Sequence, residues 1–100
     1  MDKMRTPETD RLFQVILNLE SIDECYDFFE DICTVKELQT ISQRWEVAEL
    51  LNKNISYQEI SKKTGASTAT ISRVNKCLVY GCDGYTAALS KMAEKEKSND

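Results

Sequence analysis

Apolar residues along this chain recur at three- and four-residue spacing in stretches parted by short polar breaks, the pattern of amphipathic helices rather than strands. Thr6-Pro7-Glu8 opens the first helix, with threonine as cap, proline at the first helical position and an acid in the first turn. Leu12, Phe13, Val15, Ile16, Leu17 and Leu19 follow it. That apolar face is wider than one side of a lone surface helix requires. Such a helix is either deeply buried or shared with another subunit.

Ser21-Ile22-Asp23-Glu24 is a capping box. It starts a second helix through about Asp31, with Ile22, Cys25, Phe28, Phe29 and Ile32 apolar. Thr34-Val35-Lys36-Glu37 is another box and opens the longest helix, about 34–52. In it Leu38, Ile41, Trp45, Ala48 and Leu51 make one stripe, and Trp45 is expected in a core or a subunit interface. Asn52-Lys53-Asn54 ends this helix, and Ile55 is placed to staple onto Ile60. Val79-Tyr80-Gly81-Cys82-Asp83-Gly84 reads as a turn. Asp83 is expected to cap a final helix of about 84–97, with Tyr85, Ala88, Leu89 and Met92 apolar.

Between them lies the stretch around which the chain is organised. Ser56-x-x-Glu59 starts a short helix, and Gly65 follows Lys62, Lys63 and Thr64 where a left-handed stop is needed. Ser67 then caps a second helix carrying Thr68, Ala69, Thr70, Ser72, Arg73 and Lys76. Ile60, Ala66, Ile71 and Val74 are spaced to close an apolar seam between the two. This is the register of a helix-turn-helix, here about 56–78. What it leaves outward on the second helix is small, hydroxylic and basic, the chemistry of a helix laid in a DNA major groove. An ordinary helical hairpin also has a glycine between two amphipathic helices, so the whole register carries the reading rather than Gly65 alone.

Charge first opposes that reading and then supports it. The chain of 100 residues has a net charge of −4. Residues 1–52 are net −7, residues 53–76 are net +4 and residues 77–100 are net −1. The cations Lys53, Lys62, Lys63, Arg73 and Lys76 gather on the helix-turn-helix, where phosphate contacts are made. Their number is modest, so one copy should bind weakly.

Length fits one domain, 1–100, with residues 1–5 and 97–100 expected to fray. One proline and three glycines favour helices throughout. Cys25, Cys33, Cys77 and Cys82 form no C-x-x-C pair and histidine is absent, so we expect no metal and reduced thiols in a helical core. No apolar run approaches a membrane span and no signal peptide opens the chain, which points to the cytoplasm. No nucleophile with its base and no phosphate-cradling glycine loop is visible, so neither catalysis nor a cofactor is expected.

The block from Thr34 to Leu78 resembles the Trp repressor superfamily, with the closest match to its YerC/YecD branch. The residues carrying the resemblance are Leu50-Leu51, Ser56-Tyr57-Gln58-Glu59-Ile60, Thr64-Gly65-Ala66 and Ala69-Thr70-Ile71-Ser72-Arg73. It implies an all-α, six-helix, Trp-repressor-like domain that forms an intertwined homodimer, its N-terminal helices exchanged across the two-fold. Each subunit would then offer the helix 67–78 to successive major grooves of a pseudo-palindromic operator, about 34 Å apart. The family's defining member binds L-tryptophan between two arginines. Arg73 matches one and Arg44 the other, and Thr34 matches a pocket threonine. Two positions depart: Val74 stands where the family has the glycine that leaves room for the indole, and Cys77 replaces a serine near the amino-group site.

The resulting expectation is a sequence-specific, dimeric DNA-binding regulator, a repressor that does not depend on tryptophan. Thr68, Ala69 and Ser72 would face bases; Tyr57, Gln58, Lys62, Lys63, Thr70, Arg73 and Lys76 would hold phosphates; Ser67 would set the helix start. Two alternatives stay open. One is a protein-interaction module using the acidic face of residues 1–52. The other is a repressor that senses tryptophan or another small molecule through Thr34, Arg44 and Arg73.

Overall fold

A computed structural model describes residues 3–98, and these form six α-helices with no strand among the described residues. They are α1 (Pro7–Leu17), α2 (Ile22–Ile32), α3 (Val35–Asn52), α4 (Tyr57–Thr64), α5 (Thr68–Tyr80) and α6 (Gly84–Ser98). Of the ends expected to fray, residues 1, 2, 99 and 100 lie outside the described residues, whereas α6 stays helical to Ser98. Two compact units emerge, residues 1–38 and 39–100.

Caps fix most of the helix starts. Thr6, Ser21, Ser56 and Ser67 each stand in extended backbone and accept from an N–H three residues on. The box at Thr34 is complete: Glu37 N–H donates to Thr34 Oγ1 at 3.1 Å and Thr34 N–H donates to Glu37 Oε1 at 2.8 Å. At Ser21 the return bond shifts by one residue, because Glu24 Oε1 accepts from the Glu20 N–H at 3.2 Å. Asp83 departs from its expected role. Its φ of 63° is left-handed rather than the extended geometry of a capping side chain, and it contributes its carbonyl to the Ala87 N–H instead.

The end of α3 is a Schellman motif. Ile55 N–H donates to Leu50 O at 3.1 Å, Asn54 N–H to Leu51 O at 2.9 Å, and Asn54 takes the left-handed φ of 63° that asparagine tolerates.

Among the described residues of the first unit none is fully buried. Leu12, Ile16, Leu19, Phe28 and Phe29 are half-buried, with the two phenylalanine rings edge to face at 5.4 Å. Leu17 is 82% exposed, Ile22 and Val35 75% each, and Phe13 55%. Within this unit the apolar face of α1 is therefore only partly covered.

The second unit holds the core. Val47, Ala48, Ile60, Ala66, Ile71 and Val74 are buried, with Leu50, Leu51, Ile55, Leu78 and Tyr85 packed against them. The seam Ile60–Ala66–Ile71–Val74 stands as the spacing predicts. The stripe on α3 does not: Ile41 is exposed and Trp45 half-buried, while Val47 carries the contact with Ala48. The core forms on the last two turns of α3, where residues 47, 48, 50 and 51 face it; Ala48 and Leu51 keep their expected places and the face is rotated by roughly a quarter turn. The cysteines are a second correction. Cys25, Cys77 and Cys82 are exposed and Cys33 is half-buried, because the faces that close the core are filled by aliphatic residues.

Candidate nucleic-acid interface

The helix pair α4–α5 is held by apolar packing below and hydroxyl groups at the turn. Ile60 from α4, Ala66 from the turn, and Ile71 and Val74 from α5 are all buried. Burying side chains of this size stabilises by roughly 1.5–3 kcal/mol for each large one. Gly65 makes the stop with φ 76°, a conformation costing other residues about 1–2 kcal/mol, and its N–H donates to Ser61 O at 2.9 Å. At the N-terminus of α5, Ser67 Oγ accepts from the Thr70 N–H at 3.1 Å and lies 3.2 Å from Thr70 Oγ1.

With that seam inward, the remaining faces point to solvent. Tyr57, Gln58, Lys62, Lys63, Ser67, Thr68, Ala69, Ser72, Arg73 and Lys76 are all exposed, and Thr70 is half-buried beside its cap. Tyr57, Gln58, Ser61 and Lys62 of α4 meet Thr68 of α5 around an open cleft of 520 Å³. The structure thus brings four of the expected contact residues to one place and sets the others on the exposed surfaces of the same two helices. Ser61 was not among the expected residues. Its position one turn after Tyr57, on the same side of α4, was the signal available for it. The helix also runs further than expected: Val79 and Tyr80 belong to α5 rather than to the following turn.

The corepressor candidates are scattered in role. Thr34 spends both its backbone and its side chain on the capping box of α3. Arg44 is half-buried on α3 and Arg73 is exposed on α5. Val74 is 1% exposed and belongs to the core, whereas Cys77 is exposed. Among the described residues no group of three or more Cys, Asp or Glu side chains is placed to hold a metal ion. No helix of the described residues is long and apolar enough to cross a membrane.

The model of the Trp repressor protein family matches residues 7–93. The chain belongs to the Trp repressor family. It is 51% identical over 96 residues to the uncharacterized protein YerC of Bacillus subtilis (strain 168), an alignment covering 96% of this chain and 92% of that one. A TrpR-like protein from Eubacterium eligens ATCC 27750, whose crystal structure is known, superimposes with a TM-score of 0.89 at 50% identity, covering 93% of this chain and 96% of that chain. The crystal structure of a putative Trp repressor from Staphylococcus aureus gives 0.89 at 48% identity, covering 92% of each chain. The six helices therefore form an all-α, Trp-repressor-like fold. Membership indicates a DNA-binding regulator rather than an enzyme.

Proposed function

We propose that this chain is a sequence-specific transcriptional repressor that binds DNA as a homodimer, with α5 in the major groove. One observation carries the reading. The polar and basic residues of α4 and α5 stand outward together, on a helix pair whose opposite faces are sealed by Ile60, Ala66, Ile71 and Val74. Thr68, Ala69 and Ser72 are the base-facing set, small enough for close approach, with a methyl for thymine and hydroxyls for either base-edge partner. Tyr57, Gln58, Lys62, Lys63, Arg73 and Lys76 bind phosphates, while Ser67 and Thr70 order the first turn between them. The base-facing set contains no Arg, Asn or Gln, so DNA shape supplies part of the selectivity.

The exposed apolar face of the first unit supports the dimer. Phe13, Leu17, Ile22 and Val35 would be covered by a second copy, and the operator would be a pseudo-palindrome with half-sites about 34 Å apart. Both units act together in this reading as one DNA-binding domain, 1–100. Tryptophan is not required, because Val74 takes part in the core at the position where the family leaves space for an indole.

Selection from a random-sequence DNA pool at low salt, with and without saturating L-tryptophan, tests these points. A palindrome enriched equally in both conditions is expected. Enrichment only with tryptophan would overturn the corepressor-independent reading. Changing Lys62, Lys63, Arg73 and Lys76 together to Glu should abolish binding. No enrichment in either condition would favour a protein-interaction module instead.

A further inference from the structure

The turn before α5 is held in a way that packing alone does not explain. Ser61 Oγ donates to the Ala66 carbonyl at 2.9 Å. Thr64 Oγ1 donates to the Ile60 carbonyl at 2.8 Å and accepts from the Ala66 N–H at 3.0 Å. Both backbone polar groups of Ala66 are therefore satisfied by hydroxyls of α4. From α3, Gln43 Nε2 donates to the Thr64 carbonyl at 3.2 Å. Ala66 is itself 2% exposed and immediately precedes Ser67, the cap of α5. Its peptide plane sets the direction in which α5 leaves the turn.

We propose that Ser61 and Thr64, supported by Gln43, are positioning residues for DNA recognition, clamping the peptide of Ala66 so that α5 is presented at one angle. The inference rests on the DNA-binding reading above. Ser61 lines the cleft with Tyr57, Gln58, Lys62 and Thr68, which at first suggests a direct DNA contact. Its proton argues otherwise. A serine hydroxyl has one hydrogen to donate, and that hydrogen is committed to a carbonyl, which only accepts. A phosphate oxygen is also only an acceptor, so Ser61 would have to abandon the clamp to bind one. Thr64 is bound in the same way, with its donor on Ile60 and its acceptor on Ala66. These hydroxyls consequently act on DNA through α5. Their loss should affect sequence discrimination, which needs base edges aligned, more than phosphate binding, which tolerates a range of helix angles.

The experiment compares Ser61→Ala with Ser61→Thr and Thr64→Val with Thr64→Ser. Affinity is measured by fluorescence anisotropy for the selected palindrome and for a scrambled duplex, over a salt series, well below each variant's Tm. S61A should lose about tenfold in the palindrome-over-scrambled ratio, the scale of one hydrogen bond removed, and T64V, which removes two, at least as much. S61T and T64S, which keep the hydroxyl, should recover the ratio to within about twofold, and all four should keep the wild-type salt slope. If S61A or T64V does not fold, Gln43→Met removes only the donor to Thr64 and should lower the ratio in the same direction. A ratio unchanged in S61A, T64V and Q43M overturns the clamp. A loss of equal size on the palindrome and the scrambled duplex also overturns it, placing the hydroxyls on phosphates, which every sequence presents alike. Wild-type protein that binds neither duplex defeats the DNA reading itself, a distinct failure.

Discussion

Val74→Ala is the most informative single change. Val74 is 1% exposed and packed in the cluster with Val47, Ala48, Ile60, Ala66 and Ile71. Replacing it with alanine removes two buried methyl groups, worth about 0.8 kcal/mol each in transfer. The void adds to that, because neighbours on three different helices relax only in part. The expected cost is about 2–3 kcal/mol, a large fraction of a small domain's stability. Val74→Gly should cost about 1 kcal/mol more, since glycine inside a helix loses further backbone entropy. Urea denaturation followed by circular dichroism at fixed protein concentration measures both. A cost for V74A below roughly 0.5 kcal/mol would refute the reasoning, since only an unfilled site surrenders two methyl groups so cheaply. Val74 would then border an empty pocket, and the argument against an indole there would fall with it.

Three further outcomes are expected. If a second copy covers Phe13, Leu17, Ile22 and Val35, Tm should rise by roughly 3–6 °C per tenfold increase in protein concentration; a Tm independent of concentration by calorimetry, with a monomer in sedimentation, would remove the dimer. Gly65→Ala should cost about 1–2 kcal/mol from backbone strain alone, because a Cβ there meets nothing within 4 Å. Gly81→Ala should cost more than that, because its Cβ runs into the Cys77 carbonyl, and chemical denaturation giving the reverse order would contradict this account. Thr34→Ala removes the acceptor for the Glu37 N–H and should destabilise by about 1 kcal/mol in the same assay.

Much of this architecture was legible in the sequence, for local reasons. Caps such as Thr6, Ser56 and Ser67 act within three residues, and Gly65 answers a local demand for positive φ. The seam of Ile60, Ala66, Ile71 and Val74 was also readable, since two helices joined by a short turn have little choice of facing sides. What escaped depended on distant chain. Val47 rather than Ile41 faces the core because α4 and α5 pack near the end of α3, a fact no pattern within α3 contains. The Gln43–Thr64 bond spans 21 residues and was invisible for the same reason. The outward residues of α4 and α5 were foreseen because exposure follows once the seam is known. The contribution of Ser61 was not, because a serine on a polar face carries no mark of the carbonyl it reaches.

The stacking of Trp45 on Tyr85, at 6.3 Å between ring centroids and 24° between planes, gives the protein an internal optical gauge. This is the chain's one indole, so its emission reports a single location, the junction of α3 with the first turn of α6. Detachment of α6 would move the phenol from the indole and alter the emission while the helices stay intact in far-ultraviolet circular dichroism. Two probes that disagree during unfolding would therefore identify α6 as a separately releasable element, whereas coincident curves would make the second unit one cooperative block.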